Sequence, residues 1–336
     1  MLDLEKLERI DKQKMYEVYD NWPKIAQESY KKNILKTDVK NIDHIVFSGM
    51  GGSGTVGDIC SAILSSTDIH VSVVKGYLLP KTVNLNTLII TTSVSGNTSE
   101  TLTILRSAKK NGNKIIAFSS DGKMKDYCTK NNLDFYEIPF FHSPRASLVA
   151  FLYSILNVLE PIMSIKKNDV IESISKLNEI KKNISTTNLT EKNPALNLAS
   201  WISGIPLIYY PWGLQAAAIR FKNSLQENAK LHVITEDVVE ACHNGIVAWE
   251  KMSLLKPILI EGKDDYIKTK ERWNIVKKYF EMKGIEYKEV FSISGNILSK
   301  LIHLIYYLDF ASIYRAVLYN IDPTPVNSID FIKERL

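Results

Sequence analysis

Apolar residues recur along the chain with two different periods, and the switches between them outline the elements. Leu4, Leu7, Ile10, Met15, Val18 and Trp22 fall at helical spacing, predicting one or two amphipathic helices over residues 3 to about 32, with Pro23 as a break. From His44 onward short apolar runs alternate with helical patterns. Strands are predicted over 44–47, 69–74, 87–91, 114–119 and 134–138, with helices over 55–65 and from the third strand's turn to Lys110. A long apolar helix follows over 148–159. Residues 161–193 are polar, rich in Lys, Asn, Ser and Thr, with a weak helical pattern at Val170, Ile174 and Leu177. The scheme then repeats, with strands over 206–210, 257–260 and 286–292 and helices over 213–227, 267–283 and 297–318.

Strand–helix alternation implies parallel sheets with helices on both faces. The expected fold class is α/β, with two doubly wound parallel-sheet domains, 1–160 including the leading helices and 161–336. Such a duplicated fold places a ligand between the halves, at the strand C-termini. The 297–318 segment is interrupted by Lys300, His303, Asp309 and Arg315, so it reads as a core helix, not a membrane span.

Chemistry concentrates at Ser93-Val94-Ser95-Gly96-Asn97-Thr98-Ser99-Glu100-Thr101, where an apolar strand turns into a helix. Hydroxyls at Ser93, Ser95, Thr98 and Ser99 crowd the turn, and no charge precedes Glu100. Free N–H groups at a helix start favour an anion, and neighbouring hydroxyls complete its hydrogen bonding. A helix cap needs one such hydroxyl. Four point to a phosphate cradle. Gly49-Met50-Gly51-Gly52-Ser53-Gly54 matches the glycine pattern of dinucleotide folds, but the next strand ends in Lys75-Gly76, with no acidic residue to hold a ribose. These glycines would let backbone and Ser53 approach a small phosphorylated ligand closely, with a dinucleotide site as the minority reading.

Arg145 lies on the turn Ser143-Pro144-Arg145-Ala146, where an arginine is more often a surface ion-pair partner than a catalytic group. Glu227 ends a predicted amphipathic helix, and His243-Asn244 precede Gly245. Separately these read as a solvated carboxylate and a helix C-cap. Together they supply a carboxylate base and an imidazole, as proton transfer requires.

Composition narrows the class. With 336 residues, 45% hydrophobic and 24% charged, the chain can build two cores. The formal charge of +5, from 42 basic against 37 acidic residues, is dispersed, so neither a nucleic-acid arm nor a membrane patch is expected. Cys60, Cys128 and Cys242 are too scattered for a disulfide framework or a metal site. Residues 1–5 lack the basic region and apolar core of a signal peptide, and a cytoplasmic location is expected.

The 93–101 stretch resembles the phosphosugar loop of the SIS (sugar isomerase) domain family. The chain as a whole is similar to the bifunctional phosphoglucose/phosphomannose isomerases of that superfamily. The likeness rests on the 49–54 glycines, the 93–101 loop, Pro144-Arg145, Glu227 with His243-Asn244, and Asp322-Pro323-Thr324-Pro325-Val326 with Lys333. The resemblance implies two SIS-type domains and interconversion of glucose 6-phosphate and mannose 6-phosphate with fructose 6-phosphate. It implies that Gly51, Gly52, Ser53, Ser93, Ser95 and Thr98 bind the substrate and its phosphate, and that Thr324 leaves room at C2. Glu227 would carry the proton between C2 and C1, Arg145 would stabilise the enediolate, and His243 and Lys333 would assist ring opening. It also implies a homodimer sharing His243 across its interface, with no metal or other cofactor. Val94 stands where the family often has an aromatic or small residue, and is expected to point away from the anion. Competing readings are a non-catalytic sugar-phosphate sensor and an aminosugar-phosphate isomerase.

Overall fold

A computed structural model describes residues 2–32, 39–163 and 165–335. Two compact units form, one of Asn21–Ile174 and one of the residues up to Asp20 together with those from Ser175 onward. This differs from the expected division near Pro161 with the leading helices in the first domain. Helices α1 (Leu4–Ile10) and α2 (Met15–Asp20) belong to the later residues, and buried hydrogen bonds explain why. Tyr306 Oη donates to the Tyr19 carbonyl at 2.8 Å, and Arg220 donates to Tyr19 Oη at 3.4 Å. The Asp20 carboxylate accepts from both the hydroxyl and the N–H of Thr186. Pro23 begins a helix instead of breaking one: it sits in the first turn of α3 (Trp22–Lys31), where its missing N–H costs nothing.

The first unit holds a five-stranded parallel sheet of order β2-β1-β3-β4-β5. Its strands are β1 (His44–Ser48), β2 (His70–Val74), β3 (Thr87–Ser93), β4 (Lys114–Ser119) and β5 (Asp134–Glu137). The helices are α4 (Gly51–Leu64), α5 (Ser99–Lys110), α6 (Lys123–Lys130) and α7 (Leu148–Val158). β1 and β3 are buried along their whole length, as strands covered on both faces must be. Val46, Ile89 and Ala117 pack on one face with Leu102, Leu105, Met124 and Cys128 of α5 and α6. The glycine run, expected as a turn, is largely helical: Gly51 to Gly54 open α4, and the absent Cβ of Gly57 lets that helix settle against Phe47.

The division between the units falls inside α8 (Lys167–Ile184), which α9 (Pro194–Trp201) follows. The second unit repeats the winding with four parallel strands in the order β7-β6-β8-β9. They are β6 (Ile205–Tyr210), β7 (Ile234–Asp237), β8 (Leu255–Glu261) and β9 (Lys288–Phe291). Around them lie α10 (Gln215–Ala229), α11 (Val238–Ala241), α12 (Ile267–Lys283), α13 (Ile297–Leu318) and α14 (Asn327–Lys333). One core joins Leu207, Tyr209 and Leu259 to Trp249, Trp273 and Phe280. α13 is long and apolar enough to cross a membrane, but most of it is buried in this unit.

α10 and α13 pack through a buried polar ladder. Arg220 pairs with Asp309 at 2.7 Å, Ser224 Oγ donates to Asp309 at 2.6 Å, and Asn228 Nδ2 donates to Ser312 Oγ at 2.8 Å. Arg220, Ser224 and Asn228 lie four residues apart on one face, so this ladder fixes how α10 sits against α13. Removing one partner would leave a charge buried alone, which is strongly destabilising.

Candidate active site

In the first unit, β1 and β3 are neighbours although β2 separates them in sequence. At such a reversal of winding the loops after the two strands diverge and leave a crevice. Gly51, Gly52 and Ser53 follow β1, Ser93 ends β3 and Val94 to Thr98 follow it, so both loops leave the sheet at this switch point. Ser93 Oγ lies 2.9 Å from Thr98 Oγ1. Thr98 is the N-cap of α5, yet its hydroxyl makes no capping bond. Ser95 is exposed and its Oγ accepts from the Asn97 N–H at 3.3 Å, while Val94 is buried.

The β4–α6 loop braces this turn. Ser120 N–H donates to Val94 O at 3.1 Å, Met124 N–H to Gly96 O at 2.9 Å, and Lys123 N–H to Asn97 Oδ1 at 3.0 Å. Gly96 has a φ of 67°, and a Cβ there would collide with the Asp121 carbonyl oxygen. Gly51 also has positive φ, 52°, but a Cβ there would meet nothing within 4 Å, so its outer side is open. At the end of β2, where a ribose-binding acid would stand, Lys75 pairs with Asp58 of α4 at 2.6 Å. Arg145 is buried, not on the surface, and lies just before α7, a helix that packs on α4.

In the second unit Glu227 is half-buried, two residues before the end of α10, which runs past the expected terminus to Ala229. Lys230 caps the helix with a φ of 55° and its ammonium donates to the carbonyls of Glu227 and Pro325. His243 and Asn244 lie between α11 and the 3-10 helix Gly245–Glu250, and His243 is exposed. Asn244 caps that 3-10 helix at its N-terminus, the opposite end from the one sequence suggested, and Asn244 Nδ2 donates to Glu240 at 2.7 Å. Gly245 lies against the Glu236 carboxylate, which burial and nearby Glu240 hold above the usual carboxylate range. Thr324 is half-buried and its N–H donates to Asp322 Oδ1 at 2.9 Å. Lys333 ends α14, none of whose residues is buried.

Known proteins resemble this chain over nearly its whole length. The model of the bacterial phospho-glucose isomerase C-terminal SIS domain matches residues 191–336, and that of the SIS domain matches residues 39–163. The chain is 32% identical over 339 residues to the bifunctional phosphoglucose/phosphomannose isomerase of Caldicellulosiruptor bescii, covering 96% of this chain and 98% of that one. The chain belongs to the bifunctional phosphoglucose/phosphomannose isomerase family. A second relative of that name, from Aquifex aeolicus, is 30% identical over 308 residues, covering 90% of this chain and 93% of its own. A glucose-6-phosphate isomerase like protein from Thermus thermophilus shares the fold at a TM-score of 0.65 and 15% identity, over 99% of each chain.

Within this isomerase-family chain, Ser53, Ser93, Ser95 and Thr98 all belong to the first unit, where Ser93 and Thr98 are in contact. Glu227 and the Thr324 turn are gathered by the second, through Lys230. His243 and Lys333 both stand exposed on that second unit. Lys230 and Glu236 stand in the same sequence stretches as Glu227 and His243 but carry no role that the sequence assigns. The one signal for Lys230 was its place directly after Gln226-Glu227-Asn228-Ala229, where a lysine at a helix end suits the dipole without implying a role.

Proposed function

We propose that the chain is an aldose–ketose isomerase that interconverts glucose 6-phosphate and mannose 6-phosphate with fructose 6-phosphate through a common enediolate. The observation that carries this reading is the hydroxyl cradle at the β1/β3 switch point, set on an N-cap whose own hydroxyl is not spent on capping. Its donors suit a dianionic phosphate at one end of a small sugar. Anchoring there fixes C1 and C2 against the catalytic groups, which is how binding far from the reacting atoms raises rate.

Glu227 would remove the C2 proton and return it at C1. Arg145 would stabilise the oxyanion of the enediolate, and His243 and Lys333 would open the ring. A proton on carbon beside a carbonyl needs this pairing of a carboxylate with a nearby cation. Glucose and mannose 6-phosphates differ only at C2, so both collapse to one enediolate, and Thr324 would leave room for either presentation. The active unit would be a homodimer in which His243 serves the partner's site. Its exposure supports that reading, as do Phe331 and Ile332 of α14, 57% and 58% exposed in the single chain.

Incubation of the purified chain with fructose 6-phosphate should yield both glucose 6-phosphate and mannose 6-phosphate. Binding without either product would leave only the sugar-phosphate sensor. Turnover of an aminosugar phosphate in place of both aldoses would move the reading to that rival.

A further inference from the structure

Lys230 holds a backbone conformation that side chains seldom take, with φ 55° and ψ 35°. The conformation closes α10, and the Lys230 N–H donates to the Leu225 carbonyl. Glycine meets that requirement without a Cβ in the way, so the backbone alone does not account for a lysine. The side chain does. Its ammonium donates to the Glu227 carbonyl and, at 2.6 Å, to the Pro325 carbonyl. The last carbonyls of a helix lack intrahelical donors and carry the negative end of its dipole, so a cation is well placed there. Pro325 directly follows Thr324, whose N–H is in turn held by Asp322.

We propose that Lys230 is a positioning residue for the isomerisation: it ties the main chain at Glu227 to the Thr324 turn, so the base keeps one spacing from the C2 side of the sugar. This rests on the reading of Glu227 as the base. The ladder of Arg220, Ser224 and Asn228 on α13 fixes the body of α10. Lys230 fixes its last turn to a segment that the ladder does not reach. A displacement of a reacting group by about 1 Å can cost on the order of 100-fold in rate, so a clamp on the base matters even without touching substrate.

The test compares Lys230→Gly and Lys230→Arg with the wild-type chain on fructose 6-phosphate. Lys230→Gly keeps the left-handed helix cap and removes the side chain with its ammonium. It should lower kcat and solvent-deuterium incorporation at C2 of the aldose products together, by about 10- to 100-fold. KM and inhibition by inorganic phosphate should stay within about twofold, and Tm should not fall. Lys230→Arg, whose guanidinium can reach both carbonyls, should recover most of the rate. A wild-type kcat in Lys230→Gly overturns the proposal. So does a fall in kcat accompanied by a lower Tm and weaker phosphate inhibition, which would make Lys230 general support. Glu227→Gln is assayed alongside: if it exchanges the C2 hydrogen at the wild-type rate, the base is misassigned, whatever Lys230→Gly does.

Discussion

Thr98 shows most directly how single side chains in this chain are committed. A threonine before a helix ordinarily turns its oxygen onto the helix N–H groups; here it meets Ser93 Oγ at 2.9 Å and makes no capping bond. Loss of a hydrogen bond to a charged group costs roughly 1.5–3 kcal/mol. Thr98→Val should therefore weaken substrate binding and inorganic phosphate inhibition by the same factor, as steady-state inhibition would show. Unchanged phosphate inhibition would remove Thr98 from the cradle. The crowding of hydroxyls at this turn was legible in the sequence, because four in one turn exceed what a cap uses. Arg145 was only half legible: its turn was, but its burial depends on how α7 packs, which no local pattern encodes. Lys230 was not legible, since only the fold brings Pro325, 95 residues on, against its ammonium.

Among the elements, the long ones and the continuous apolar runs were read closely. The spans of β4, α12 and α13 agree with expectation to the residue, because each is an apolar run or a long helical stretch between clear breaks. Short elements with few buried residues were missed. Only Met124 and Cys128 of α6 are buried, β7 is the short edge strand Ile-Thr-Glu-Asp, and α14 buries nothing. α13 carries a consequence of its own. Burial, with Lys176 and Lys263 nearby against a smaller opposing effect of Glu179, lowers the His303 imidazole to about 4. Between roughly pH 6.5 and 4 the unfolded chain takes up a proton that the folded chain refuses, so stability falls as pH drops through that window. The loss amounts to at most about 3 kcal/mol. His303→Gln should flatten the decline of Tm over this window; a decline as steep as wild type would show that His303 does not titrate this way.

At the scale of the whole molecule, each unit carries a parallel sheet wound in the same way, with Ser93 to Thr98 in the first and Glu227 in the second. That duplication was visible as a repeat of strand–helix alternation, whereas the return of α1 and α2 to the later residues was not, because it is made by Tyr19, Asp20, Thr186 and Tyr306 across long sequence separations. If His243 serves a partner's site, inactive His243→Ala and inactive Glu227→Gln chains should regain activity when their subunits exchange, since a hybrid dimer would hold one intact site. No recovery despite demonstrated exchange would argue for self-contained subunits. The account as a whole turns on Glu227 moving the proton. Glu227→Gln keeps the side chain's shape but cannot accept that proton, and general-base contributions are about 10²–10⁴-fold in rate. The decisive measurement is solvent-deuterium incorporation at C2 of the aldose phosphate, followed by NMR for wild type and Glu227→Gln at equal substrate occupancy. The account predicts rapid exchange in wild type and a loss of that size in Glu227→Gln, with phosphate inhibition unchanged; exchange by Glu227→Gln at the wild-type rate would contradict it.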